Sequence, residues 1–462
     1  MSFGFDTVLV ANRGEIAARV IRTVRDLGLR SVAVYSDADA DLPFVAAADT
    51  AVRIGPPAPA ESYRNVDAML AAARDTGAGA VHPGYGFLSE SATFAAAVAD
   101  ASLTWVGPSA AAITAMGDKI AARNLMSAAG VPVAPGTSEP VRSATDAAAA
   151  AAGIGYPVII KAAAGGGGMG MAVVADEAAM IAEHERVTAF SGRLFGDDAV
   201  FVERYFARVR HVEVQILGLA DGTVLALGER DCSVQRRNQK VAEETPSPAV
   251  DDGLRFRMLA AARTAGEAVA YRGAGTVEFL LATGDGGRPA EFYFLEMNTR
   301  LQVEHPITEA VLGIDLVAAQ LRVAAGLAPG FDPAALAATG HAIELRINAE
   351  DSKRFLPGPG TISQWVEPVG EGVRVDSGYA DGCVVTPFYD SLMAKLIVHG
   401  VDRAQALERA RTAVAGFTIV GPKSNLAFHA ELLENPEFVS GAYDTALVGR
   451  MRAPVERPAR GR

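Results

Sequence analysis

Tyr156–Val174 reads YPVIIKAAAGGGGMGMAVV. An apolar run ending in Lys161 predicts one strand and MAVV a second, with the glycines Gly165, Gly166, Gly167 and Gly168 between them. Four successive glycines cost folding entropy, so such a loop usually serves a backbone conformation or a close approach that a side chain would block. Phosphate oxygens cradled by backbone N–H groups match that need. No GK[ST] follows, so the loop is not of the Walker type; its lysine precedes the glycines instead. A glycine-rich hairpin without a ligand is the plain alternative, and Lys161 at the end of the preceding strand moves the reading towards a nucleotide.

A nucleoside triphosphate needs a divalent cation, and magnesium prefers a few carboxylate oxygens beside phosphate and water. Glu278 in TVEFLL and Glu296 in FLEMN each sit in an apolar strand context where a lone acid is costly to bury. Two such acids on neighbouring strands, with Asn298 two residues on, would form a metal cage; salt-bridged edge residues are the alternative. From Glu296 the chain continues as EMNTRLQVEH to His305. If that segment is extended, Glu296, Asn298, Arg300, Gln302 and Glu304 line one face. Arginine suits a planar oxyanion and a nearby carboxylate can take its proton, so the run points to activation of a small carboxylate-like acid by ATP.

Towards the N-terminus, DTVLVAN reads as a buried strand, GEIAARVIRTVRDLG as an amphipathic helix closed by Gly28, and LRSVAVYS as the next strand. Such βαβ units build parallel sheets with ligand sites at the strand C-terminal ends. The tip, Asn12-Arg13-Gly14, lacks a GxGxxG, so dinucleotide binding is not indicated. GAVHPGYGFLSE, ending at Glu90, reads as a turn-rich loop after another short strand. ATDAAAAAAG predicts an exposed helix. From about Gly340 short strands prevail, followed by a helix at AQALERARTAVAGF, and the Arg- and Pro-rich end of the chain is expected to be a disordered tail.

Composition narrows the class. With 462 residues, 50% of them hydrophobic, the chain can build two or three domains. A net charge of −12 argues against a general nucleic-acid or anionic-membrane partner. Cys232 and Cys383 are far apart and suit a reducing compartment, no apolar run is long enough to span a bilayer, and the N-terminus has no signal-peptide pattern, so a cytoplasmic protein is expected. Only six of the 42 basic residues are lysine: Lys119, Lys161, Lys240, Lys353, Lys395 and Lys423. Where arginine is so strongly preferred, a lysine is a candidate for a site needing a compact ammonium. ERDCSVQRRNQK adds Arg230, Gln235, Asn238 and Lys240, with Arg236 and Arg237 read as a solvated charge run. His211 opens a strand with Glu213 and Gln215 at alternate positions.

Taken together and in order, ANRGEIA, HPGYGFLSE, GDK, YPVIIKAAAGGGGMGM, ERDCSVQRRNQK, EMNTRLQVEHPITE and HAIELRINAED resemble the biotin carboxylase component of biotin-dependent carboxylases, an ATP-grasp enzyme. The resemblance implies an α/β (α+β) fold with a Rossmann-like N-terminal domain over residues 1–115. An ATP-grasp domain would follow over 116–330, with a glycine-loop lid at about 132–204. A C-terminal mixed domain would cover 331–446, and a tail 447–462. It implies that Lys119, Lys161 and the glycine loop contact ATP phosphates. Glu203, Arg204, Tyr205 and Phe206 would recognise adenine, and His211, Gln235 and Asn238 would lie around the nucleotide. Glu278, Glu296 and Asn298 would hold Mg²⁺ or Mn²⁺. Lys240, Arg300, Gln302 and Val303 would surround bicarbonate, with Glu304 as general base and Arg346 stabilising the biotin enolate. Biotin would arrive on a carrier protein. The chain has no Met-Lys-Met, so carrier and carboxyltransferase are expected on separate chains, and a homodimer is expected from the family. The chain departs from the family pattern at Asn238, where many members have histidine, and at Met169, where a basic residue is frequent. EETPSP at 243–248 is shared with the urea-carboxylating branch, so these residues leave the final acceptor open.

Two other readings compete. Another ATP-grasp ligase, joining a carboxylate to an amine through an acylphosphate, is disfavoured by ERDCSVQRRNQK and RLQVEH. A nucleotide-sensing scaffold that has lost catalysis is disfavoured because every proposed catalytic residue is present.

Overall fold

The structure, a computed structural model, describes residues 3–163, 170–282 and 290–453. The glycines 165–168 and Met169 lie outside the described residues. The predicted βαβ unit forms: strand Thr7–Val10, helix Gly14–Asp26 and strand Arg30–Ser36, with Gly28 turning the chain at φ 72°. These strands belong to a five-stranded parallel sheet ordered Thr50–Gly55, Arg30–Ser36, Thr7–Val10, Ala80–His82, Thr104–Trp105. The strand order reverses at Thr7–Val10, so a crevice opens beyond its C-terminal end and that of Ala80–His82. Asn12 pins the two loops there, donating from Nδ2 to the Pro83 and Tyr85 carbonyls at 2.7 Å each.

The second sheet is antiparallel and eight-stranded. Its order is Glu291–Asn298, Gly273–Ala282, Val209–Gly218, Val224–Arg236, Gln239–Thr245, His341–Asn348, Leu392–Gly400 and Val373–Ser377. The join between Gln239–Thr245 and His341–Asn348 makes the sheet continuous across residue 330. A third sheet of three strands centres on Val158–Ala162, flanked by Met171–Val174 and Val200–Arg204. Helix Ala144–Ile154, expected to be exposed, buries Ala147, Ala148 and Ala151 against this sheet, because a helix of small residues can approach a sheet closely on one side. The tail expected from residue 447 begins instead as helix Leu447–Arg452, with Leu447 and Val448 buried; residues 454–462 lie outside the described residues. Among the described residues no helix is long and apolar enough to cross a membrane.

Glu244 ties the C-terminal elements to the large sheet. Fully buried, it accepts from His341 Nε2 at 2.7 Å, Arg403 Nε at 2.6 Å and Tyr443 Oη at 2.6 Å. Burial pushes its carboxyl up, but the His341 and Arg403 contacts outweigh this and hold it at about 2, against an ordinary 4.5. A depressed carboxyl stabilises the folded state above its unfolded value and loses that contribution as pH falls through the folded one, on the order of 3 kcal/mol here. Glu244→Gln is therefore expected to lower the thermal midpoint at pH 7, with the gap to the unsubstituted protein narrowing as pH falls from about 4.5 towards the acid limit, read by calorimetry across pH.

Candidate active site

The central strands of the large sheet divide their side chains between two buried environments. Along Val209–Gly218, Val212, Val214 and Ile216 pack on Leu254, Met258 and Ala262 of helix Asp252–Ala268. The alternate residues His211, Glu213 and Gln215 face the other way, as period-2 geometry requires. The neighbouring strand does the same, with Val277, Phe279 and Leu281 in the core and Glu278 on the polar face.

On Glu291–Asn298 the alternation breaks. Phe292 and Phe294 are core residues, so strict period-2 geometry would send Glu296 into the same apolar layer. The register steps from Glu278 opposite Glu296 to Phe279 opposite Phe294, leaving Leu295 as an extra residue. This bulge re-aims the strand: Met297 enters the core while Glu296 and Asn298 line the cleft. Glu278 and Glu296 thus lie directly opposite each other, as two acids on neighbouring strands must to share a cation.

Lys240 occupies the centre. It follows a two-residue hairpin turn whose residues, Arg237 and Asn238, both have positive φ, 49° and 64°, between the paired Arg236 and Gln239. Asparagine accepts that conformation better than most residues. The Lys240 Nζ donates to Glu213 Oε2 at 2.5 Å, Glu304 Oε1 at 2.6 Å and Glu278 Oε1 at 2.8 Å. Burial would lower the ammonium's pKa, but these carboxylates hold it well above the ordinary value.

The expected extended run to Glu304 is corrected. The strand stops at Asn298, and Gln302–Glu304 turn into helix His305–Leu312, which has Pro306 in its first turn. The side chains converge all the same, through a bent segment. Gln302 Nε2 donates to Glu278 Oε1 at 3.1 Å. Arg300 reaches Gln302 Oε1 at 3.0 Å, Asn298 Oδ1 at 3.1 Å and Glu90 Oε2 at 3.0 Å. Glu304, at the N-cap of the helix, bridges Lys240 and Arg346, whose Nη2 lies 2.9 Å from Oε2. Burial opposes its charge, yet Lys240, Arg346 and Arg230 hold the carboxyl well below the ordinary range.

One cleft of about 1200 Å³ takes in Lys119, Lys161, Glu203, Arg204, Tyr205, Phe206, His211, Gln235, Asn238, Lys240, Glu278, Glu296, Asn298, Arg300, Gln302, Val303 and Arg346. All site residues expected from the sequence and lying within the described residues therefore border one space, except Glu304, which is buried beneath it and is reached through Lys240 and Arg346. At the other end Lys161 Nζ donates to Glu203 Oε2 at 2.6 Å, and Phe206 stacks on Tyr293 with ring centroids 4.9 Å apart. Gln235 Nε2 lies 3.0 Å from His211 Nδ1, and His211 Nε2 lies 3.0 Å from Glu278 Oε2.

Sequence reasoning gave no site role to four participants, although it named Arg230 among the cationic groups of its motif and Glu213 beside His211. Glu213 is a partner of Lys240, and its signal was present: an acid at the alternate position to His211 in an apolar strand. Glu243 holds Arg346 at 2.6 Å, and Glu90 holds Arg300. Arg230, whose side chain is fully buried, fixes Glu213 and Gln215 from behind at 2.7 Å each. These partners lie far apart in the chain, so no local pattern announces them. Arg236, read as solvated, instead pairs with Glu350 and borders the cleft.

The donor set suits a hard divalent cation. Burial and the opposed Glu278 together raise the carboxyl of Glu296, as two acids facing each other on paired strands do. Carboxylate and amide oxygens are what Mg²⁺ or Mn²⁺ prefers.

Comparison with known proteins matches three family models in chain order: biotin carboxylase, N-terminal domain, over residues 4–113; carbamoyl-phosphate synthase L chain, ATP binding domain, over 118–328; and biotin carboxylase C-terminal domain over 344–450. The biotin carboxylase of a Nostoc species is 46% identical over 97% of this chain and 99% of its own. The biotin carboxylase of Campylobacter jejuni, solved as a complex with β,γ-ATP, superposes with a TM-score of 0.93 at 42% identity, covering 97% of this chain and 99% of that one. The biotin carboxylase domain dimer of Hydrogenobacter thermophilus 2-oxoglutarate carboxylase, solved with MgADP, ADP and bicarbonate, gives 0.91 at 39% identity, covering 96% and 97%. With similarity of this extent along its whole length, and with the lysine-centred carboxylate site built on an ATP-grasp sheet, the chain belongs to the biotin carboxylase family.

Proposed function

We propose that the cleft carries out ATP-dependent carboxylation of biotin on a carrier protein by bicarbonate, with Glu304 as general base and Arg346 as the group that stabilises charge on biotin. The observation that carries this reading is the bridge itself: one buried, ionised carboxylate shared between an ammonium and a guanidinium at the floor of a cleft. The bicarbonate and MgADP bound by the Hydrogenobacter relative support it.

Bicarbonate is a poor electrophile. Lys240, Arg300, Gln302 and the Val303 backbone orient it, and Glu304 takes its O–H proton. The oxyanion attacks the γ-phosphorus of ATP, ADP leaves, and carboxyphosphate results. Lys119 and Lys161 offset the charge on the phosphates, and Glu278, Glu296 and Asn298 hold the divalent cation, which neutralises phosphate charge when bound. Carboxyphosphate divides into carbon dioxide and phosphate. The phosphate removes the ureido N–H proton of biotin while Arg346 holds the developing oxygen charge, and the nitrogen adds to carbon dioxide. Residues 132–204, carrying Lys161 on a small sheet of their own, act as a lid that shields this intermediate from water. We assign residues 1–115, 116–330 and 331–446 as the three domains, carrier and carboxyltransferase as separate chains, a homodimer as the assembly, and the cytoplasm as the location.

Bicarbonate-dependent ATP hydrolysis, stimulated by free biotin, tests the assignment. Glu304→Gln is expected to lower it by on the order of 10²–10³-fold. Arg346→Met is expected to lower carboxybiotin formation by about 10²-fold or more while bicarbonate-dependent ATP cleavage persists; equal loss of both would sink the division of labour between the two residues. Glu296→Gln is expected to raise the magnesium concentration for half-maximal rate at least about tenfold, read from a metal titration at saturating ATP.

A further inference from the structure

Three of the six lysines, Lys119, Lys161 and Lys240, border the cleft; Lys395 does not, yet its side chain is wholly buried. An ammonium in the interior is costly unless it is well paired. Each of its contacts belongs to a different part of the chain. Lys395 lies on strand Leu392–Gly400 and forms an ion pair at 3.1 Å with Glu15, in the first turn of helix Gly14–Asp26 of the N-terminal sheet unit. It sits 5.9 Å from the ring of Tyr85, in the loop after Ala80–His82. Its Nζ also donates to the Val303 carbonyl at 3.0 Å.

That last acceptor belongs to the peptide group whose nitrogen is that of Glu304, so fixing it fixes the plane from which the Glu304 side chain departs. Lys395 is also directly opposite Arg346 in the antiparallel register, so the two project from the same face. Arg346 holds the Glu304 carboxylate from one side while Lys395 holds its backbone from below. His305 supports the same turn, its Nδ1 2.8 Å from the Gln302 carbonyl. The N-terminal unit approaches closely here: a Cβ on Gly378 would lie 2.5 Å from the Glu15 nitrogen.

We propose that Lys395 is a positioning residue for Glu304, fixing the Val303 carbonyl and coupling the Glu304 turn to the docking of Glu15 and Tyr85 from the N-terminal unit. The proposal rests on Glu304 being the base. Glu304→Gln tests that reading separately, since there the backbone anchor stays intact.

The test uses the full chain carrying Lys395→Met, and the double variant Glu15→Gln/Lys395→Met, which removes both charges of the buried pair. Steady-state bicarbonate- and biotin-dependent ATP turnover is measured beside the thermal midpoint. In the double variant the midpoint is expected near that of the unsubstituted protein, with kcat lowered at least about tenfold by the misplaced base and KM for ATP changed less than about threefold. A kcat within about twofold of the unsubstituted protein in either folded variant overturns the proposal. So does a loss confined to KM for ATP, and so does failure of both variants to fold, which would make Lys395 a folding residue.

Discussion

The arrangement depends on one buried ammonium. Glu213, Glu278 and Glu304 come from two strands and a turn, and each would resist burial as a charged group on its own. Lys240 lies within 2.8 Å of all three. Arg230 and Arg346 supply further positive charge behind and beside it. Because the charges are balanced inside the protein, the polar groups stand ready in fixed positions, and little reorganisation is left for the moment of reaction. The same balance makes the site a product of the whole sheet: no short fragment of the chain contains both the lysine and its partners.

Backbone geometry decides which groups enter that balance. The long strands bury both of their faces, one against helix Asp252–Ala268 and the other against the polar cleft, so alternation separates apolar core from chemistry within a single strand. At Leu295 one extra residue shifts the phase, and without it Glu296 would join Phe292 and Phe294 in the core. The two-residue turn at Arg237-Asn238 has a comparable role, returning the chain so that Gln235 and Lys240 lie opposite each other on paired strands. Both features are local departures from regular sheet that place functional side chains.

The nucleotide end is organised differently. Glu203 is shared by Lys161 and Arg123, and Arg123 also donates to the Thr137 carbonyl at 3.2 Å and to that of Ala134. One guanidinium therefore touches both segments that connect the small sheet to the rest of the molecule, the loop 134–137 that enters it and the strand Val200–Arg204 that leaves it. Rigid pairing at the floor and a few polar clamps at the connection fit the proposal that residues 132–204 act as a lid.

Much of this was legible in the residues. Strand, glycine run and strand at Tyr156–Val174, the acids set in apolar strands, and the scarcity of lysine marked a nucleotide-and-metal site, because each is a local choice that costs folding free energy and so needs a reason. The N-terminal βαβ unit followed from periodicity alone. Glu243 and Glu90 were not singled out, and Arg230 and Glu213 were named without their roles, since those roles come from partners distant in sequence. The run from Glu296 to Glu304 shows the division most clearly. Its composition announced that acid, amide and base belong together, but an extended strand was the wrong means, for the strand ends at Asn298 and a turn brings Glu304 back beneath the cleft. Sequence by itself determined which side chains this protein has for its chemistry, because residue type and spacing are local. Only the tertiary structure decided their orientation and charge state, because bulges, register and the pairing of buried charges exist only once separate strands have met.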